Sequence, residues 1–508
     1  MSGVQKKAKK PRYGILGVKK TDRIFFSAAG EDWSSDSEDD DYHPPGEDEI
    51  VEINTKKRKQ ERRKKQAIIK EEKKKGKIDI KLKQGITTWH LLPPEILVKI
   101  LKFCSMNEGH LRLDVLGTVC NDWKRVARTE SLWKYVDLAR GSEMLNKKDL
   151  ESTSKKLYPL MRKTERIVLN KSITMSQFTN LIRNFQEIRE ISFKGCSKLK
   201  PELLTEIAES GNLKNLQGVD FNGTFQDFIG LKDMFVFINN ILPNLTKLVL
   251  SNNKFNKKTI TAIFQKVASD CTKLKIFELE NCHSSAIPQL DYLSMCKNCR
   301  SLRVLNFNDT LFHPFNSSGN SQNDETTYKL NLEEFRMSQF LHVNIYVSPS
   351  FITDFIGMCD NLTLLDVNHL RNCNSFNFLL KLHAQKLKHL YLSNTFTKNL
   401  VDDLEMELQV RQVFSRWGPS LLDLDLSKNL LPSTVWDAIF DSFGPNPSLI
   451  TLNLESSNIA IDTLDYIMKT FHKLRYVNIS LCRTIRERGI KREYQAEEIN
   501  ILRSKFYS

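Results

Sequence analysis

The feature that most restricts how this chain can fold is a phrase of one apolar residue, two variable ones, an apolar, one variable and an apolar. It returns eleven times, at intervals of about 25–30 residues. The copies are Ile188/Ile191/Phe193, Leu216/Val219/Phe221, Leu245/Leu248/Leu250, Leu274/Phe277/Leu279, Leu302/Leu305/Phe307 and Leu332/Phe335/Met337, followed by Leu362/Leu365/Val367, Leu387/Leu390/Leu392, Leu421/Leu424/Leu426, Leu449/Leu452/Leu454 and Leu474/Val477/Ile479. Alternating apolar positions predict a short strand with one face turned inward. The residue that follows, Cys196, Asn253, Cys282, Asn429 or Cys482, is placed to satisfy backbone groups at the turn. Amphipathic helices fill the intervals; Ile260, Ile263, Phe264 and Val267, for example, share one helical face. No unit can bury its apolar face alone, so the units must stack, with parallel strands along one side. The repeat is predicted over 164–485, with a polar loop in Phe312–Lys329 and an extra helical turn or kink in Val401–Gly418.

A second constraint lies between Trp89 and Leu138, which carries more large apolar side chains than so short a unit can hide. Pro94 and Glu95 suit a helix start, and Ile96, Leu97, Ile100, Leu101 and Phe103 recur at helical spacing. A polar loop is predicted at Ser105–His110. A second helix with Val115, Leu116, Val119 and Trp123 follows, then a third element with Leu132, Trp133, Tyr135 and Val136. Either the rest of this chain or another protein must cover this surface.

Four pieces of this region, Leu92-Pro93-Pro94-Glu95-Ile96, Ile100-Leu101-Lys102-Phe103, Val119-Cys120-Asn121-Asp122-Trp123 and Ser131-Leu132-Trp133, resemble the F-box, the helical module that docks on the Skp adaptor of cullin-based ubiquitin ligases. The repeated phrase resembles the leucine-rich repeat, and the segment from Leu481 to Tyr494 resembles the end of an F-box/leucine-rich-repeat protein. The resemblance implies an α/β chain: a leucine-rich-repeat solenoid, or horseshoe, preceded by a small all-α F-box and a disordered N-terminal tail. The divisions are a charged tail at 1–86, the F-box at 87–140, a linking or capping segment at 141–163, the repeats at 164–485 and a helical cap or tail at 486–508. It also implies that Leu92, Pro93, Pro94, Ile96, Leu97, Ile100, Leu101, Val119, Cys120, Trp123, Leu132 and Trp133 face the adaptor. Cullin and RING subunits then join through the complex, and the solenoid holds the protein to be ubiquitinated.

The 508 residues carry a net charge of +15, concentrated in one run. Lys56, Lys57, Arg58, Lys59, Arg62, Arg63, Lys64 and Lys65 form its centre, and the remaining chain is close to balance. The run predicts nuclear import, with a polyanion-binding segment or a solvated helix as alternatives. Ser34–Asp41 resembles a target of acid-directed kinases. Ten cysteines with no apolar leader predict a reducing compartment, nuclear or also cytoplasmic, and no stretch is apolar enough to predict a membrane span.

Nothing predicts catalysis. Phosphate loops, nucleophile elbows and zinc motifs are missing, and Cys296-x-x-Cys299 lacks a second pair, so both thiols are expected as core residues rather than metal ligands. No cofactor is expected. The outward strand positions lean acidic, and Glu278, Glu280, Glu334, Asp366, Tyr391, Asp423 and Asp425 are the candidate target-binding residues, which suits a basic target. The alternatives are a nuclear scaffold without a ligase, or an RNA-associated factor working through the basic tail.

Overall fold

The computed structural model describes residues 92–140, 156–315, 329–339, 349–370, 375–396, 404–485 and 492–506. The chain divides between Ile86 and Thr87, and all described residues belong to the second part. The expected tail, the polar insertion at 316–328 and most of the segment expected to link F-box and repeats lie outside them.

The repeated phrase supplies eleven strands of one 14-stranded sheet. Its strands are β1 Tyr135–Asp137, β2 Arg166–Val168, β3 Glu190–Ser192, β4 Gly218–Asp220, β5 Lys247–Val249, β6 Ile276–Glu278, β7 Val304–Asn306, β8 Glu334–Arg336, β9 Leu364–Asp366, β10 His389–Tyr391, β11 Asp423–Asp425, β12 Thr451–Asn453, β13 Tyr476–Asn478 and β14 Glu493–Gln495. Each strand is three residues long and pairs in parallel with the one before it, except β14, which runs antiparallel to β13. The middle residue of each of β3 to β13 is the second apolar residue of a phrase, and all eleven are buried. Helices cover that face. The segment Lys257–Asp270 turns Ile260, Ile263, Phe264 and Val267 inward as expected, and Leu404–Trp417, a helix of the same length, belongs to the long unit. The result is a mixed α/β architecture with a long parallel sheet after a helical N-terminal region.

A regularity appears that the apolar pattern does not announce. Four residues after the strand centre, ten units place a residue in the left-handed region: Gly195, Gly223, Asn252, Asn281, Asp309, His369, Asn394, Lys428, Ser456 and Leu481. That conformation costs a non-glycine residue about 1–2 kcal/mol. It turns the N–H sideways, onto the carbonyl of the next unit: Asn252 to Glu280 at 2.7 Å, Lys428 to Glu455 at 2.7 Å. The ladder therefore runs on past the strands. One residue later sits the predicted polar plug. Asn253 Nδ2 donates to the carbonyls of Phe221 and Leu250, both at 2.8 Å, while its Oδ1 accepts from Phe225 at 2.9 Å. Asn429 repeats the arrangement with Leu392, Leu426 and Thr395. Cys282 and Cys482 aim their thiols at the carbonyls of Leu250 and Leu454 from the same position.

The N-terminal helices are α1 Pro94–Glu108, α2 Arg112–Leu116 and α3 Asn121–Ala127. Three expectations change here. The helix α1 runs through Ser105 to Glu108 and stops only at Gly109, whose φ of 88° ends it. The single second helix is two, broken by a turn at Gly117–Cys120. The third element is a short 3₁₀ turn followed by β1, the first strand of the sheet, so the expected all-α module ends in β-structure. In β1, Tyr135-Val136-Asp137, one buried residue stands between less buried ends, too short a stretch for a strand period to register in sequence.

Candidate functional site

Two surfaces carry the residues singled out by the sequence. The first is α1 to α3. Helical spacing gives α1 two neighbouring apolar stripes. One, with Leu97 and Leu101, is buried in the chain's own core. The other, with Ile96 at 41% exposure, Phe103 at 69% and Met106 at 60%, faces outward, with Ile100 half-buried in the same stripe. The segment after it adds Val115 at 52% and Val119 at 61%.

The twelve residues expected at an adaptor therefore divide. Pro93, Pro94, Ile96 and Val119 are exposed, and Leu92, Ile100, Cys120 and Trp123 are half-buried. Leu97, Leu101, Leu132 and Trp133 are buried, and the Trp133 indole N–H donates to the Ala127 carbonyl at 2.8 Å. These four belong to the chain's own core and present no surface in the free chain. Phe103, Met106 and Val115 were missing from the expected set. The 3.6-residue period could have found them, because Phe103 continues the Ile96–Ile100 stripe one turn on.

The second surface is the open face of the sheet. Side chains alternate along a strand, so the first and third residues of each strand share the face opposite the buried middle residue. Register brings the candidates into two rows. Glu278, Asn306, Arg336, Asp366, Tyr391 and Asp425 are successive neighbours in the third-residue row. Glu334, Leu364, His389 and Asp423 are successive in the first-residue row, continuing Ile276 and Val304. Glu280 follows two residues after Glu278, beyond the end of its strand. The sequence placed all seven on one face, and the pairing puts six of them in these rows.

Their electrostatics differ. Desolvation raises the Asp366 carboxyl to about 6, although the Asn368 N–H at 3.2 Å, the Asn308 amide at 3.3 Å and Arg336 all pull it down, and Asp425 adds repulsion. Desolvation likewise raises Glu278, against the pull of Lys247 and Arg336. Arg336 is held by Glu334 at 2.6 Å, and His389 Nδ1 lies 2.5 Å from Asp423 Oδ2. Asp425 accepts from the Asn453 amide at 2.9 Å.

The cysteines offer no chemistry here. Cys296 and Cys299 are buried, and burial pushes both thiols up, Cys299 to about 12, so neither supplies a thiolate at neutral pH. Among the described residues no cluster of His, Cys, Asp or Glu could hold a metal ion, and no helix is long and apolar enough to cross a membrane. The basic run from Lys56 to Lys65 lies outside the described residues.

Comparison with known proteins adds the following. No curated protein matches the sequence. A solved structure, the crystal structure of the Rad7 and Elc1 complex in yeast, is similar over 86% of this chain and 89% of that one, with 15% identity and a TM-score of 0.40. The family model described as F-box-like matches residues 89–139, the helices α1 to α3 together with β1.

Proposed function

We propose that the chain is the target-recognition subunit of a Skp–cullin–F-box ubiquitin ligase, and that its sheet and helices are leucine-rich repeats stacked as a solenoid. The observation that carries this reading is the outward apolar stripe of Ile96, Phe103 and Met106 with Val115 and Val119, inside the segment matched by the F-box-like model. Five large apolar side chains on so small a bundle form an unsatisfied surface, and full burial of each is worth about 1.5–3 kcal/mol. The Skp adaptor covers that stripe, and cullin and RING subunits follow through the adaptor. The sheet face holds a protein target. The chain performs no bond chemistry; it raises the local concentration of a target lysine beside an activated ubiquitin carrier. The basic run from Lys56 to Lys65 directs the chain to the nucleus.

The test is capture of purified adaptor by the full chain and by a Phe103→Asp/Val119→Asp variant. Both residues are exposed, so the variant keeps its fold. Loss of capture with an unchanged melting temperature is expected. Undiminished capture overturns the reading and leaves a nuclear scaffold, or an RNA-associated factor, as its replacement. A fluorescent fusion lacking residues 56–65 is expected to lose nuclear accumulation.

A further inference from the structure

Charged rows of opposite sign flank the strands, one at the residue just before each strand and one at the third residue, and only the second is in phase with the open face. The residue just before the strand is a cation at Lys134, Arg189, Lys275, Arg303, Lys388 and Arg475, all exposed. It is an acid at Glu165 and Glu333, and these are paired with Lys134 and Arg303. Three residues further along, roughly 10 Å away, the sign reverses. The third-residue row holds Asp220, Glu278, Asp366 and Asp425, and its one cation, Arg336, is engaged by Glu334. The first-residue row of the same face holds the half-buried Ile276 and Val304, then Glu334 and the buried Leu364. Tyr391 stands between Asp366 and Asp425.

Building on the reading that this face holds a target, we propose that the target presents a cationic polypeptide segment crossing β6 to β11, with lysine or arginine side chains over Glu278, Asp366 and Asp425 and aliphatic side chains over Ile276 and Val304. Charge complementarity selects this occupant. Asp366 accepts hydrogen bonds from the Asn308 amide and the Asn368 N–H, and Asp425 from the Asn453 amide and the Ser427 N–H, so neither carboxylate is directly ion-paired, although Arg336 on the next strand attracts Asp366. A cation seated there gains a partner that is already partly desolvated, so less water has to be removed on binding. A phosphate backbone would meet repulsion at the same row. Asp366 and Asp425 lie two strands apart, roughly 10 Å, a span that basic residues three apart in an extended or polyproline-like chain can match.

The test uses the full chain and a fluorescein-labelled peptide with lysine at every third position and leucine or valine between. Three comparisons are made: the same peptide with its lysines acetylated, a Glu278→Gln/Asp366→Asn/Asp425→Asn variant of the chain, and a single-stranded RNA competitor. The amide substitutions keep size and most hydrogen bonding. Binding that weakens about tenfold or more in the variant, and likewise on acetylation, is expected. Equal binding by the acetylated peptide, equal binding by the variant, or no binding of the lysine peptide in low salt overturns the proposal, as does displacement from this face by RNA that vanishes in the variant. Adaptor capture is measured in parallel on the same variant. If it persists while peptide binding fails the criteria, the target class is wrong and the receptor reading stands; if capture by the unaltered chain is itself absent, the receptor reading has failed.

Discussion

The backbone N–H of Asp137 donates to Nδ1 of His110 at 2.9 Å, and the N–H of His110 returns a bond to the Asp137 carbonyl at 3.0 Å. Residue 110 follows α1, and residue 137 closes β1, so this reciprocal pair fastens the helical region to the first strand of the sheet. The imidazole is neutral with its proton on Nε2, which lies 3.1 Å from the Leu132 carbonyl as a donor. Thr164 completes the joint from the other side by donating to the Trp133 carbonyl at 2.7 Å.

Burial lowers the His110 pKa, outweighing the Leu132 carbonyl, the Asp137 charge and the Asp137 backbone bond. Its folded value therefore lies below the unfolded one near 6.5. The stability it contributes is complete above about pH 6.5 and is lost as pH falls through the folded value. His110→Ala should cost about 1–3 kcal/mol at pH 7.5, with the loss shrinking as acid is added. Denaturant unfolding of wild type and variant at pH 7.5 and 5.5 checks this; a gap that does not narrow at the lower pH contradicts the lowered pKa of His110.

Gly109 just before it should tolerate no side chain. Its φ is 88°, and a Cβ would collide with the backbone of Arg140. Gly109→Ala is expected to lower the melting temperature by several degrees, a loss of about 2 kcal/mol. Gly211, where an added Cβ meets nothing, is the control.

Asn429 is fully buried, and its amide serves two carbonyls and two N–H groups of neighbouring turns. Asn429→Ala strands all four and should cost about 3 kcal/mol, whereas Asn429→Cys, the residue used at the same place in other units, should recover part of it. Hydrogen exchange at Thr395 and Phe396 reports the loss locally. Unchanged protection there would show that the turn does not depend on the amide.

Asp366 is expected to trade stability for binding. Its carboxyl is raised to about 6, so the free chain loses stability as pH climbs from about 4 to that value. Asp366→Asn should stabilise the unliganded protein at pH 7.5 by about 1–2 kcal/mol while weakening the lysine peptide. Peptide affinity in wild type should rise with pH through about 6. The groups facing Asp366 are Arg336 on β8, Asn308, Asn368 and Asp425 on β11, with Glu334 holding Arg336 and His389 paired to Asp423 on the adjoining row. The pH step should vanish in Asp366→Asn; a step that persists in that variant contradicts the assignment.

Leu101 and Phe103 separate packing from docking. Leu101→Ala removes a buried side chain and should destabilise by about 2–5 kcal/mol. Phe103→Ala removes an exposed one and should leave stability within about 0.5 kcal/mol while reducing adaptor capture. Equal destabilisation by both would mean that Phe103 is covered within the chain.

The sequence alone determined the repeating unit, because burial of one middle residue per strand imposes a local apolar rhythm that survives from Ile191 to Val477. It also determined the polar plugs Asn253 and Asn429, since a buried backbone turn needs a donor there, and it marked the helical segment by more apolar residues than its length can bury. Tertiary structure decided the rest. Which stripe of α1 turns inward depends on where α3 and the sheet lie, so Leu101 and Phe103, two residues apart, have opposite fates. The strand identity of Tyr135–Asp137 came from its pairing with Arg166–Val168, a partner about thirty residues away. The left-handed residues at Lys428 and Leu481 have no sequence preference to betray them; the carbonyl of the next unit or the shape of the turn holds them there. Asp366 looks like any outward carboxylate in the chain, and only the neighbours assembled by strand register strip it of water.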